Sequence, residues 1–272
     1  MNKMQALPQS LKTLYERLKE KHLGVRASVV PRRYWSQFVC YPGASEIQHF
    51  LDRAIPPSAR RILVIGVFAG RDYFFFKTRG THEVFALDLE AVPDFENLSV
   101  ANVEERLPFP EKYFDAIVVN EVLEHLVQDA KALGNIRDCL TDDGTLFVSV
   151  PFLHEAERTH VRVHTRISVE RLLECCGFAP VEVIERPGLG FYVPGINAIN
   201  FAVSVASNAV TGRPVYGVTL PWLARLERWT GRRQNPLRQF SQDWGGFFVC
   251  RKTAKVDYVE RNREAFCAAS GS

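Results

Sequence analysis

Between Arg61 and Gly177 the chain alternates short apolar runs with stretches whose apolar positions recur every three or four residues. The runs predict strands at 61–66, 83–88, 98–101, 115–120 and 145–150, with two more near 180–185 and 246–252. A helix is expected near 126–140, where Leu126, Ala130, Leu133, Ile136 and Leu140 fall at helical spacing, and Thr141-Asp142-Asp143-Gly144 reads as the turn that ends it. A second helix, 169–176, places Val169, Leu172, Leu173 and Cys176 on one face, with Ser168 as its cap and Gly177 just past its end. Upstream, Ser10 to His22 carries an apolar stripe stopped by Gly24, and a short helix is expected around Glu46 to Ala54. Such alternation implies an α/β fold: a Rossmann-like, seven-stranded, mostly parallel sheet with helices on both faces.

A helical insertion, 188–243, separates the last two strands. No charged residue occurs from Pro187 to Gly212, yet Pro194, Gly195 and the Asn and Ser residues of 197–208 argue against a membrane span. Asn197, Asn200, Ser204, Ser207 and Asn208 share one helical face, with Ile196, Ile199, Val203 and Val210 opposite. A following helix, Trp222 to Thr230, is apolar at Trp222, Leu223, Leu226 and Trp229 and basic at Arg225 and Arg228; Arg232 and Arg233 follow. The expected organisation is an N-terminal helical extension (1–58), a core (59–187), the insertion, a last core strand (244–256) and a tail (257–272).

The bulk properties narrow this picture only a little. A net charge of +3 over 272 residues does not argue for nucleic acid. Residues 1–22 contain no apolar stretch of the signal-peptide kind, and the six cysteines have neither metal-type nor disulfide-framework spacing. The expectation is a cytoplasmic protein with reduced thiols, with peripheral membrane contact through 188–243 as an option.

Candidate chemistry begins at Arg61. The run Ile62–Ile65 ends at Gly66, Gly70 follows, and the next strand-like run ends on Asp88. Strand, glycine turn, helix, strand, acid is the layout of a nucleotide-binding βαβ unit, with the acid placed to accept hydrogen bonds from ribose hydroxyls. A dinucleotide site would want a glycine at position 71, which is Arg71.

Gly66 and Gly70 fit instead the G-x-G-x-G turn of S-adenosylmethionine-dependent methyltransferases. The segment LPFPEKYFDAIVVNEVLEHL resembles the type-11 group of class I methyltransferases, which includes the C-methyltransferases of quinone biosynthesis and many small-molecule enzymes. The resemblance covers Arg61 to Gly177. It implies S-adenosylmethionine as cofactor, with Gly66, Val67, Phe68 and Gly70 around its methionine half and Asp88 on the ribose. It also implies Leu89, Asn102 and Val103 at the adenine, and Asn120 and Glu121 near the sulfonium. Two positions depart from the pattern: Val64 replaces an acid, and Phe68 replaces the middle glycine, where a side chain is expected to crowd the cofactor. Asp115 and Glu124 read as structural, Asp115 by capping turn amides at its strand's start.

Methyl transfer asks for a base only when the nucleophile must lose a proton. Candidates are His125, in the LEH motif, and the loop PFLHEAERTHVRVHTR after the fifth strand, where His160, Arg162, His164 and Arg166 share a face if the piece is extended. A basic patch facing the acceptor, a metal site built on His154, His160 and His164, and a plain solvated loop all remain open for it. No adjacent carboxylate constellation supports a metal, and none is expected. The function expected is methyl transfer, at oxygen, to a small-molecule or glycan/lipid-linked acceptor. The alternative is a degenerate methyltransferase fold kept as a binding or scaffold protein. Nucleic acid is disfavoured as substrate because the fourth strand ends Asn120-Glu121-Val122-Leu123, without an N-P-P-Y type motif.

Overall fold

The computed structural model describes residues 30–34, 44–152, 159–186, 196–211, 216–234 and 245–270. The helix expected over Ser10–His22, and His154, lie outside them. The strands are β1 (Arg61–Ile65), β2 (Glu83–Asp88), β3 (Leu98–Val100), β4 (Phe114–Asn120), β5 (Leu140–Pro151), β6 (Phe178–Arg186) and β7 (Gly245–Lys252). They form one seven-stranded sheet in the order β3-β2-β1-β4-β5-β7-β6. The first five pair in parallel, and β7 runs antiparallel between β5 and β6. Asp115 accepts from the backbone N–H groups of Arg60 and Arg61 at 2.8 and 2.9 Å, the structural part expected of it.

A central parallel strand is buried on both faces, which is why RILVI reads as an unbroken apolar run. Ile62 and Val64 pack on one side, with Ile47, Phe50 and Leu51 of α1 (Ala44–Ala54) and the aromatics of α2 (Arg71–Arg79). Leu63 and Ile65 pack on the other, with Leu133 and Ile136 of α3 (Asp129–Cys139) and Val169 and Leu173 of α4 (Arg166–Cys175). Cys139 and Cys176 are free thiols that burial pushes up to about 11, so they stay protonated and inert.

Four local expectations change. Thr141 to Gly144 belong to β5: its pairing with β4 jumps from Phe114–Leu140 to Ala116–Thr145, so the intervening residues bulge out of the ladder without ending it. The cap of α4 is Thr165, not Ser168. Thr165 Oγ1 accepts from Ser168 N, and Ser168 Oγ accepts from Thr165 N, a reciprocal capping box that starts the helix earlier. The segment read as a tail carries α7 (Tyr258–Ser270), where Asp257 Oδ1 accepts from Val259 N at 2.8 Å and Glu260 N at 3.1 Å. Its apolar periodicity is weak, so only the capping aspartate announces it.

The fourth change is in the insertion, whose helices are α5 (Ile196–Thr211) and α6 (Tyr216–Gln234); the second extends beyond the Trp222–Thr230 expected of it at both ends. Asn200 is buried and accepts from the Thr219 hydroxyl on α6, while Ile199, Val203 and Val210 are exposed. Arg228 does not face solvent as a free cation; it donates to Glu46 of α1 at 3.0 Å and to the Glu185 carbonyl at 3.2 Å, which fastens α6 to the core. Among the described residues no helix is long and apolar enough to cross a membrane.

Candidate active site

A cavity of about 590 Å³ opens where β1, β2 and β4 end. Gly66, Val67, Phe68, Gly70, Asp88, Leu89, Asn102, Val103, Asn120 and Glu121 all line it, together with Arg71, Asp72 and His125. These strand ends bring the residues together because ligands in open α/β sheets meet the loops at the carboxyl edge.

The turn after β1 needs two glycines and no third. Gly66 and Gly70 have φ of +75° and +67°, in the left-handed region. A Cβ on Gly66 would meet Val122 Cγ2 at 2.5 Å, and one on Gly70 would meet the Tyr34 ring at 2.4 Å. Phe68 is absent from the positive-φ residues, and its side chain is 84% exposed at the cavity mouth. The backbone at this position therefore does not require glycine, and the exposed ring lies on the cavity lining. Leu89 and Val127, also on the cavity wall, are similarly exposed.

Asp88 is already at work within the loops. Its Oδ2 accepts from Val67 N at 2.9 Å and its Oδ1 from Leu89 N at 2.8 Å, which ties the glycine turn to the end of β2. Each carboxylate oxygen keeps a second lone pair for a ligand. Asn102 Oδ1 accepts from Glu104 N at 2.9 Å, so its amide N–H groups are the atoms it can offer as donors. Val103 is buried in the cavity floor.

Sequence reading missed the buried cluster on the floor. Arg71 Nε donates to Asp72 Oδ1 at 2.8 Å and Arg71 Nη2 to Asp72 Oδ2 at 3.1 Å; Asn120 Nδ2 donates to the same Oδ2 at 2.7 Å. That orientation leaves Asn120 Oδ1 buried with no partner among the described residues. Arg71 had registered only as a missing third glycine, and Asp72 lay in plain view as the acid in the first turn of α2. Next along the chain, Glu121 holds a positive φ of 57°, uncommon for a residue with a Cβ. Its Oε1 accepts from Ser149 Oγ at 2.6 Å and from the Arg186 guanidinium, itself stacked over the Phe247 ring. Burial alone would raise the Glu121 carboxyl, but Arg186, Ser149 and Arg71 together hold it below the ordinary carboxylate range.

The three histidines divide. His125 ends a 3-10 turn (Leu123–His125), lines the cavity and meets the Thr159 carbonyl through Nδ1 at 3.1 Å. His160 lies behind it, the two rings 4.8 Å apart at 77°. His164 is buried beside Phe152 and does not line the cavity; burial lowers its pKa and favours the neutral ring. The four basic residues differ in burial: Arg162 and Arg166 are exposed, His160 is half-buried and His164 is turned in. Arg162 is spent on Asp129, at 3.0 Å, and on the Val127 carbonyl. Arg166 pairs with Glu170 and Glu185.

Residues 63–148 match the family described as a methyltransferase domain. No curated protein matches the chain. Among solved structures, the [4+2]-cyclase SpnF is 16% identical with a TM-score of 0.52, over 78% of this chain and 81% of that one. A SAM-dependent methyltransferase from Archaeoglobus fulgidus is 18% identical with a TM-score of 0.50, over 76% and 93%. Geranyl diphosphate C-methyltransferase from Streptomyces coelicolor A3(2), solved with Mg2+, geranyl diphosphate and S-adenosyl-L-homocysteine, is 12% identical with a TM-score of 0.51, over 77% and 80%. At such identities the likeness carries the fold alone. Residues 63–148 match a methyltransferase-domain family, and the chain has the fold of class I S-adenosylmethionine-dependent methyltransferases.

Proposed function

We propose that the chain is an S-adenosylmethionine-dependent methyltransferase acting at an oxygen of a small-molecule or glycan/lipid-linked acceptor. The observation that carries this reading is the unpartnered, buried Asn120 Oδ1 beside the Asp72 carboxylate, two acceptors inside a cavity of cofactor size. Together they suit the ammonium of a methionine moiety and take over the part of the acid replaced by Val64. Asp88 has lone pairs left for ribose hydroxyls, and Leu89 and Val103 offer apolar surface to a base. When bound, the cofactor supplies a sulfonium methyl that an acceptor lone pair takes as the carbon–sulfur bond breaks. The chain's part is to hold the two in contact, which can account for much of the barrier reduction, and to take the hydroxyl proton. His125, on the cavity wall, takes that proton, with His160 behind it and His164 set further back as support.

Calorimetric titration with S-adenosylhomocysteine tests the reading. One-to-one binding is expected, and 5′-methylthioadenosine, which lacks the amino-acid moiety, should bind at least about tenfold more weakly, the loss of a charge-assisted hydrogen bond. Absence of binding at millimolar ligand would leave the degenerate-fold alternative. Phe68→Ala should leave stability within about 0.5 kcal/mol, as for other exposed positions. It should weaken S-adenosylhomocysteine roughly two- to tenfold, the worth of one aromatic contact.

The insertion supports the lipid-linked option. Ile199, Val203, Val218, Trp222, Leu226 and Trp229 are exposed on α5 and α6, an amphipathic pair with its apolar residues outward. Arg225 lies beside them, stacked on Trp222 at 5.3 Å. In this reading the pair rests on a membrane surface and presents the acceptor to the core. Trp222→Ser with Trp229→Ser should abolish co-flotation with anionic vesicles while S-adenosylhomocysteine affinity stays within about twofold, below ~0.4 kcal/mol. Unchanged flotation would remove the membrane from the proposal.

A further inference from the structure

We propose that Glu124, His125 and His160 bind a divalent transition-metal ion of the zinc type on the wall of the cavity. One donor atom from each lies within 4.8 Å of the other two, and Glu124 Oε1 is 3.9 Å from His125 Nε2. A tetrahedral ion with bonds of ~2.0–2.1 Å holds its donors ~3.3 Å apart, so small side-chain rotations would complete the set. Two imidazoles and one carboxylate are the donors of open zinc sites, and such a mixture favours zinc, cobalt or iron over magnesium, which prefers oxygen.

The surrounding bonds prepare the ligands. His125 Nδ1 faces the Thr159 carbonyl at 3.1 Å, and a proton on that nitrogen leaves the lone pair on Nε2, the side toward Glu124. Metal-bound histidines are typically oriented by this kind of outer hydrogen bond. The Glu124 carbonyl accepts from Val161 N at 2.9 Å and Arg162 N at 3.1 Å, which pins the segment just after His160 against the 3-10 turn. The Glu124 side chain is 2% exposed, so the carboxylate would meet the ion from a buried position. The nearby cation, Arg162, is drawn off by Asp129. A metal site built on the loop histidines alone lacks a carboxylate. The fold supplies one from LEH, replacing His154 and His164 with Glu124 and His125.

The consequence rests on the methyltransferase reading above. His125 is the residue shared by the ion site and the cavity. Three protein ligands leave a coordination position open, and the ion's charge favours the deprotonated form of a hydroxyl brought to it. With an ion in place, His125 Nε2 is a ligand and no longer takes the proton, which passes to solvent. No redox change is involved.

The test uses the full chain after chelator treatment, titrated with Co2+ and Zn2+, with S-adenosylhomocysteine titrated separately. One-to-one binding and visible d–d absorption from Co2+ are expected, with no comparable binding of Mg2+. His160→Ala, at a half-exposed position, and Glu124→Gln should each weaken Co2+ at least about tenfold, and His82→Gln, remote from the site, should not. No saturable Co2+ binding by protein that still binds S-adenosylhomocysteine would overturn the proposal. So would Co2+ binding that His160→Ala leaves intact in folded protein, or Mg2+ binding as tight as Co2+. Retained Co2+ binding without S-adenosylhomocysteine binding would instead keep the ion site and remove the cofactor reading.

Discussion

Arg186→Leu should lower the unfolding free energy by about 3–5 kcal/mol, the usual effect of removing one partner of a buried ion pair. Arg186 is 1% exposed at the end of β6 and donates to Glu121, just past the end of β4, and to Ser149 on β5. Leucine there would leave the Glu121 carboxylate in the interior without its cation. Denaturant unfolding reads the loss directly. Glu121→Gln keeps an oxygen for Ser149 and for Arg186 and should cost less, and Glu121→Leu added to Arg186→Leu should restore part of the stability. The pair also sets an acid limit. Glu121 titrates lower in the folded protein than in the unfolded chain, so the unfolded chain binds more protons in acid. Its contribution is present above the ordinary carboxylate pKa of about 4.3 and is lost as pH falls below it. A loss under ~1 kcal/mol for Arg186→Leu would mean that water reaches Glu121 freely.

What was legible in the sequence lay close together along it. The end of β2 at Asp88 and of β4 at Asn120 could be placed because buried parallel strands read as apolar runs that stop at a polar residue. The ten residues expected at the cofactor follow those strand ends within a few positions, so correct strands were enough to bring them to one cavity. Contacts between distant segments were not legible. Asn120 meets Asp72 across 48 positions and Arg186 meets Glu121 across 65, and no periodicity links them. The α5 helix shows the same limit differently: spacing defined its two faces, but not the bond that Asn200 makes with Thr219 on the next helix. Phe68 marks another limit, since a motif records glycines without saying which of them need a positive φ.

Asp88→Ala should reduce affinity for S-adenosylhomocysteine at least about tenfold, and more than a ribose contact alone explains. Loss of a charge-assisted hydrogen bond to a sugar hydroxyl is worth about 1.5–3 kcal/mol. The same substitution also frees the Val67 and Leu89 amides, which the carboxylate now holds at 2.9 and 2.8 Å. The glycine turn would then be untied from β2, and part of the binding free energy would go into ordering it again. Asp88→Asn separates the two effects. Its single carbonyl oxygen can hold one amide, while its NH2 group faces the other donor, so the turn is half restored and the charge is gone. The expected order of affinity is wild type, then Asp88→Asn, then Asp88→Ala. Hydrogen exchange at Val67 and Leu89 in the unliganded protein provides the second reading, since faster exchange in Asp88→Ala marks the freed turn. Equal affinity in wild type and folded Asp88→Ala would take Asp88 out of the cofactor site and leave it a purely structural tie between β1 and β2.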